Sequence, residues 1–509
     1  MGGKNRPGCE QLYRMALVGI SLTLLFCFSA ASAEDWPQFR GPNCSGISTS
    51  RRGLPTTFSA TESVRWTARL GDGIGSPVVA AGRVFASAMT ADETVSLFAF
   101  DAATGRELWR RDWPTGSLAE IHKTNSHAST TPAADAERVY FYFSTLGLIT
   151  VDAVTGQDVW RHELPTPFFV FKWGPGVSPV LYRDLVIMCQ DDDLFPAIYA
   201  FDKATGKVRW RDDRLDQAVN YSHPIVCHAN GRDDIVVAGT GVLVGYDPDS
   251  GRRRWQAKVL LRNTKTTPVV VDGVIYVSAQ SGGIANQWIV SVDRAPTGNN
   301  DNKLDKAEIQ AFVGQQKIPE AFFTKTFGRG DVNRDGILEG RELDLAFMHP
   351  DNFAGVDFNV VGENAAEQTI LAVRGGGEGD VTDTHLLWKH KTKYTDHIVS
   401  PLVSDGRMFL IKEGGISTIF ETAGGMPLRG AVRVAAGGSY FASPVLGDGK
   451  IYLAGENGTV VVLRDSANYE ELARNDMGES ILATPAIADG KLFIRTRTKL
   501  VCIAAESNP

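Results

Sequence analysis

The sequence predicts an all-β fold, an eight-bladed β-propeller whose N-terminal strand closes the last blade, and three observations predict it. A Ser-, Thr- or His-Pro dipeptide followed by an apolar strand recurs at Pro77, Pro132, Pro179, Pro224, Pro268, Pro401, Pro444 and Pro485. Asp101-x3-Gly105-x3-Trp109 recurs as Asp152/Gly156/Trp160, Asp202/Gly206/Trp210 and Asp247/Gly251/Trp255. The last unit, Ala483 to Ala505, lacks a Trp strand, whereas Val64-Arg65-Trp66-Thr67 stands ahead of the first Ser-Pro. A repeat of about 40–45 residues built from short strands is the signature of four-stranded blades. Joining the N-terminal strand to the last unit removes a free sheet edge.

One unit shows the local logic. Proline is tolerated at the start of an inner strand, here Pro77-Val78-Val79-Ala80. Arg83 to Ala88 and Ser96 to Phe100 supply the second and third strands. In the turn Asp101 to Gly105, Asp bonds its own backbone and Gly takes positive φ. Glu107-Leu108-Trp109 opens the outer strand, and the indole is suited to fill the wedge between blades. Blades six and seven depart from the pattern: Glu421-Thr-Ala-Gly424 has no following Trp, and Arg464-Asp465-Ser466 is weaker still.

The chain ends of the repeat carry other signals. Lys4, Arg6 and Arg14 precede an apolar run, Met15 to Ser29, and Ala31-Ser32-Ala33 offers a cleavage site, so residues 1–33 read as a signal peptide and 34–63 as an N-terminal extension. The expected destination is periplasmic or extracellular, with no membrane span after cleavage. Net charge is −7, which points away from a nucleic-acid partner. Four cysteines lie beyond the signal, Cys44, Cys189, Cys227 and Cys502, in no C-x-x-C pair; export permits a disulfide, and buried free thiols are the alternative.

Pro268 to Pro401 spans 133 residues, as does Trp255 to Trp388, so about 88 extra residues interrupt blade five. The propeller then occupies 64–280 and 370–509, and 281–369 is an inserted segment. Inside it, Asp331-Val-Asn333-Arg-Asp335-Gly336-Ile337-Leu-Glu339-Gly-Arg-Glu342 fits the EF-hand calcium loop at every constrained position. Calcium takes six to eight oxygens: side chains of Asp331, Asn333 and Asp335, the Ile337 carbonyl, Glu339 directly or through water, and bidentate Glu342. Helices from Glu320 to Phe327 and Arg341 to Phe347 are expected to flank it, giving a hand over about 319–348. A weaker partner loop begins at Thr297 and offers Asn299, Asp301, Lys303, Asp305 and Glu308; strand-like Ile289 to Asp293 leads into it in place of a helix. Leu304 and Leu338 stand where such loops pair.

Loops from each outer strand to the next inner strand gather at one mouth of a propeller. Here they carry His122, Asn125 and His127, then Lys172 and Trp173, then Asn220, Tyr221 and His223, then Arg262 and Lys265, then Tyr394, Asp396 and His397, and Tyr440. Converging polar and aromatic groups suit a ligand pocket, centred on Trp173, Asn125, His127, His223, Asp396 and His397. The run Asp191-Asp192-Asp193 offers a cation site, with a solvated loop as the commoner outcome for such a run.

The Asp-x3-Gly-x3-Trp turns and Ser-Pro strands, over about 64–292 and 370–505, resemble the pyrroloquinoline-quinone (PQQ)-type propeller repeat family, which includes quinoprotein dehydrogenases and BamB-like assembly propellers. Trp36-Pro-Gln-Phe39-Arg40-Gly41-Pro42, Lys172-Trp173-Gly174 and Gly379-Asp380-Val381-Thr382 resemble exported planctomycete-type members. Together with the calcium loop, this favours a calcium-binding scaffold for binding or assembly over an enzyme, with a protein or carbohydrate ligand at the mouth. Two alternatives stand beside it. A PQQ-dependent dehydrogenase of sugars or alcohols would use Trp173 as the quinone's floor, but the adjacent-cysteine pair of many such enzymes is absent. A polysaccharide-acting hydrolase would need an acid/base pair that the sequence does not single out.

Overall fold

A computed structural model describes residues 34–50, 53–169, 172–214, 217, 220–259, 264–281, 288–315, 318, 320–340, 342–343, 346, 367–395, 398–412, 414–434 and 438–505. The proposed signal peptide, Arg262, Asp396 and His397 lie outside the described residues.

Eight antiparallel sheets of four sequential strands form the blades. In the first blade these are Val78–Ala80, Arg83–Ala91, Thr94–Asp101 and Glu107–Pro114, from the inside outward. The eighth takes Ala486–Ala488, Lys491–Arg495 and Lys499–Ala504 from the C-terminal end and its outer strand, Val64–Arg69, from the N-terminal end. Trp66 pairs with Cys502 and Arg69 with Lys499. Blades six and seven keep all four strands despite their weak repeat. The fourth blade gains a fifth, short strand at its outer edge, Gly379–Asp380, parallel to Arg253–Ala257.

The recurrent tryptophans lock neighbouring blades. Trp66, Trp109, Trp160, Trp210 and Trp388 donate their indole N–H to Ala102, Ala153, Lys203, Pro248 and Thr422 carbonyls in the following blade, at 2.7–3.2 Å. The turn glycine of that next blade lies against each ring; a Cβ at Gly105 would come within 2.4 Å of Trp66. Trp255 differs and donates to Asp234 Oδ2 (2.8 Å).

The residue before each inner-strand proline has a second job. Ser76 N–H donates to Thr131 Oγ1 (2.9 Å), Thr131 to Ser178 Oγ (2.9 Å), and Ser178 to His223 Nε2 (3.1 Å). His223 donates to Thr267 Oγ1 (3.3 Å), Thr267 to Ser400 Oγ (2.9 Å), and Ser400 to Ser443 Oγ (3.1 Å). Ser443 donates to Thr484 Oγ1 (3.0 Å) and Thr484 to Ser76 Oγ (3.1 Å). Eight hydrogen bonds thus close a circle around the axis. Proline holds the preceding residue extended, and that residue's N–H and side chain face the two neighbouring blades.

The N-terminal extension fills the axis inside this circle. Trp36 exchanges two hydrogen bonds with Val79 of blade one. Pro37 O accepts from Ala134 of blade two, and Gln38 Oε1 from Leu181 of blade three. The Asn43 side chain pairs with the Val226 backbone of blade four (2.7 and 2.8 Å). Arg40 Nη2 donates to Pro401 O of blade six (2.6 Å), residues 46–48 pair with Leu446 of blade seven, and Glu34 N donates to Asp489 of blade eight. The segment so satisfies inner-strand groups that would otherwise be buried without partners. Its tight turn needs glycine at 41: φ is +70° and a Cβ would lie 2.6 Å from the Trp36 ring.

Blade five's second and third strands, Val274–Ser281 and Glu367–Arg374, pair along their full length, so the insert emerges from the loop between them. It holds helices α1 (Lys306–Gln315) and α2 (Glu320–Gly330), with Glu342, Leu343 and Ala346 again helical. Ile289–Asp293 is a π-helical turn, which corrects the strand-like reading. Trp288, Ile289 and Val292 bury one side of it among Ile309, Phe323 and Phe327, and this packing overrides the β-branched composition.

Candidate functional site

The two inserted loops are paired back to back: Leu304 opposes Leu338 and Asp305 opposes Ile337. In the second loop, Asn333 Oδ1 accepts from Asp335 N and Asp335 Oδ1 from Ile337 N (both 2.9 Å). Asp331 Oδ2 accepts from Gly336 N (3.3 Å), and Glu342 Oε1 from Val332 and Asn333 N. Asp331 Oδ1 and Glu342 Oε2 are buried and accept no hydrogen bond among the described residues. Burying carboxylate oxygens without a partner is costly, and a hard cation removes that cost. Glu339 is turned outward to Lys303 Nζ (2.5 Å).

The first loop repeats the internal bonds: Asn299 Oδ1 to Asp301 N and Asp301 Oδ1 to Lys303 N (both 2.9 Å). Its carboxylates are used differently. Glu308 spends one oxygen on Asn299 N (2.8 Å) and the other on Asp305 N (3.0 Å). Fully buried Asp293, not Thr297, receives the backbone amides of Asp301 and Asn302. Among the described residues, no three His, Cys, Asp or Glu side chains stand already gathered to hold a metal. The second loop's set also draws on Asn333 and the Ile337 carbonyl.

The insert stands on the mouth face. Phe168 and Leu194 pack against its apolar cluster. Phe168 belongs to the outer-to-inner loop that carries Trp173. Leu194 belongs to the second-to-third loop of blade three.

Of the mouth residues, the structure gathers His122, Asn125, Lys172, Trp173 and Lys265. The His122 and Trp173 ring centroids are 4.7 Å apart, and Lys265 Nζ is 5.0 Å from the Trp173 ring. Asn125 Nδ2 donates to Trp173 O (2.6 Å), His122 N to Lys172 O (2.7 Å), and Lys172 pairs with Glu120 (2.8 Å). The Trp173 indole N–H is buried with no acceptor among the described residues. Phe169 stacks on Tyr221 at 5.4 Å. His127 is partly buried beside Asp72, and burial lowers its pKa.

Other expectations are corrected. His223 does not line the mouth: it is a buried member of the hydrogen-bonded circle, stacked on Phe39 at 4.3 Å. Burial, with Arg40 adding to it, lowers its pKa to about 3, so the ring is neutral, accepting at Nε2 and facing Thr267 Oγ1 through Nδ1 (3.1 Å). Tyr440 is buried between blades six and seven. Asp191, Asp192 and Asp193 are buried, not solvated. Asp191 forms a two-pronged ion pair with Arg214 (2.8 and 2.9 Å), and Asp192 caps the turn through Leu194 and Phe195 N. Cys44, Cys189, Cys227 and Cys502 are all free and buried. Sequence reasoning missed the axial segment, although Trp36 to Pro42 was visible as a motif.

A family model described as outer membrane protein assembly factor BamB matches residues 47–169 and 172–328. The chain is 25% identical over 248 residues to the Yersinia pestis protein of that name, an alignment covering 43% of this chain and 56% of that protein. It is 27% identical over 171 residues to the Pseudomonas putida quinohemoprotein alcohol dehydrogenase ADH IIB, covering 30% and 24%. The chain thus spans only about half the length of the first of these relatives, and a quarter of the second. Among solved structures, BamB from Moraxella catarrhalis superposes with a TM-score of 0.51 at 13% identity, covering 88% of this chain and 98% of that one. Quinohemoprotein alcohol dehydrogenase from Comamonas testosteroni gives 0.50 at 11% identity, covering 93% and 81%. These likenesses speak to the fold alone. With the family model matching more than half of the sequence and eight blades present, the chain belongs to the BamB-type, PQQ-like β-propeller family.

Proposed function

We propose that this protein is an exported, calcium-binding propeller that serves as a binding scaffold for another protein. The observation that carries the calcium part is the pair of buried, partnerless oxygens, Asp331 Oδ1 and Glu342 Oε2, in one loop. Asp331, Asn333, Asp335, the Ile337 carbonyl and Glu342 would hold the ion, with Glu339 swinging in from Lys303 or acting through water. Bound calcium neutralises the carboxylates and fixes the loop between its helices. Both oxygens of Glu308, the last acid of the first loop, are already engaged by backbone amides, so that loop supports the second structurally.

The scaffold part rests on family membership and on the mouth, where Trp173, His122, Asn125 and Lys265 offer an aromatic surface, a cation and an unused indole donor. A protein ligand supplies the carbonyl or carboxylate acceptors that such a surface lacks. The export proposal rests on the N-terminal sequence and on the names of the relatives. Among the described residues no helix is long and apolar enough to cross a membrane. For a quinone, the Trp173 ring already has His122 and Lys265 against it, so a planar cofactor would have to displace one of them.

Titration calorimetry with calcium tests the first part: Asp331→Asn and Glu342→Gln should each weaken binding by at least about tenfold, through loss of a hard anionic ligand. Equal affinity in both variants would remove the site. A photo-crosslinking residue at Lys265 should capture protein from periplasmic extract, and Trp173→Ala should abolish capture. Dye reduction with an alcohol or aldose after loading with PQQ and calcium would replace the scaffold with a dehydrogenase.

A further inference from the structure

The sequence places its cleavage site between Ala33 and Glu34, and the structure holds Glu34 at both its backbone and its side chain. The Glu34 nitrogen donates to Asp489 Oδ1 (2.9 Å), in the turn that joins the first two strands of blade eight. Glu34 Oε1 accepts from Ser48 Oγ (2.7 Å), Thr49 N (2.8 Å) and Ser50 N (3.1 Å). The next residue, Asp35, accepts from Ala81 N (2.8 Å) in the matching turn of blade one. The start of the axial segment thus bridges the last blade and the first.

These contacts gather negative charge. Glu34, Asp35 and Asp489 bring carboxylates to one place, and among the described residues no Lys, Arg or His side chain pairs with any of them. Glu34 Oε2 is buried with no donor to it among the described residues. Burial lifts the Asp35 pKa above the usual carboxylate value; the Ala81 amide offsets part of that, and the charge of Asp489 adds to it. Like charges packed together favour protonation of one of them or the arrival of a cation. The atom that meets Asp489 is the one that cleavage would charge.

We propose that removal of residues 1–33 turns the Glu34 nitrogen into an ammonium that locks the mature N-terminus onto Asp489. Hydrolysis of the Ala33–Glu34 bond by a leader-cleaving protease sends the oxygen of water to the Ala33 carboxylate and both its hydrogens to the Glu34 nitrogen. A neutral amide with one hydrogen becomes a cation with three. The bond to Asp489 then carries charge on both sides, and such bonds are shorter and roughly twice as strong as neutral ones. The positive charge also offsets the repulsion among the three carboxylates.

The lock fastens blade eight to the axial segment, which Asp35 and Trp36 fasten to blade one. Processing therefore strengthens the seam where the two ends of the chain meet. A precursor that still carries its leader has an amide at this position and holds its hub more loosely, which suits a chain that has yet to be exported. First-to-second turns open on the face away from the mouth. The lock rests on export of the chain and owes nothing to calcium or to Trp173.

N-terminal sequencing of protein recovered after export should read Glu-Asp-Trp. Hydrogen exchange then compares this protein with a form that retains Ala31-Ser32-Ala33 ahead of Glu34. Amides of residues 36–49 and 486–495 should exchange at least about tenfold faster in the retained form. Asp489→Asn keeps an acceptor and removes its charge, so in that variant the processed and retained forms should exchange alike. A second readout needs no variant: at neutral pH the α-amine of the processed protein should react with an acylating reagent at least about tenfold more slowly when folded than in urea. A first residue other than Glu34 would overturn the cleavage assignment and the lock with it. A Glu34 start with equal exchange in the two forms would overturn the lock alone and leave export standing. A difference that persists in folded Asp489→Asn, or an α-amine equally reactive in both states, would do the same.

Discussion

His223 shows how one side chain ties sequence, architecture and solution behaviour together. It stands in the circle where seven other blades use Ser or Thr, and its neutral imidazole accepts from Ser178 through Nε2. Protonation would replace that acceptor with a donor inside a buried site beside Arg40. The unfolded chain takes up the proton near the ordinary 6.5, the native one only near 3. Stability is therefore full above about pH 6.5 and falls as pH drops towards 3, by about 1.4 kcal/mol per unit. His223→Thr keeps an acceptor and removes the titration. Chemical denaturation at about pH 7 and 5 should show the wild type losing about 2 kcal/mol more than the variant. Equal losses would mean that Nε2 does not accept in the native state. Arg40 is the matching residue on the axis: burial lowers it to about 10, far enough above neutrality to keep its charge.

At the scale of elements, the axial segment and the insert carry the two largest departures from a plain propeller. Trp36 is fully buried between the segment and blade one, so Trp36→Ala should cost about 3–5 kcal/mol, measured by denaturant unfolding. A loss under about 1 kcal/mol would show that the segment is a passive filler. The blades and their count were legible because proline and the Asp-Gly-Trp turn leave marks at fixed spacing. The pairing of the two inserted loops through Leu304 and Leu338 was legible, because the residue types that a hard cation would demand recur at fixed positions and set the loop boundaries. The mouth was only partly legible: Asn125 and Trp173 do meet, but a His-Pro reads the same whether its ring faces ligand or circle. Asp191 to Asp193 misled because a run of like charge says nothing of an arginine 23 residues away that buries it. The axial segment was hidden because its bonds run to seven blades scattered along the chain, a pattern with no local period.

Across the whole molecule, closure is double. The strand Val64–Arg69 completes the eighth sheet, and the circle of eight hydrogen bonds is completed only by Thr484 donating to Ser76. Amides of Val64–Arg69 and Lys499–Ala504 should therefore exchange only through global unfolding, although they come from opposite ends of the chain. Hydrogen-exchange mass spectrometry reporting rapid local exchange in these two peptides would show that the seam frays. The axial segment carries this arrangement one step further. The residues that form the hub, 34 to 48, leave the ribosome and any export channel before every blade they hold, while Asp489 and Leu446, which receive them, come near the end. A half-made chain has a hub with no wheel, and must keep Trp36 and Phe39 out of trouble until the last blade arrives. The protein's vulnerable interval is thus set by its length, and a carrier that shields the first fifteen residues of the hub would act in assembly before any partner of the finished propeller.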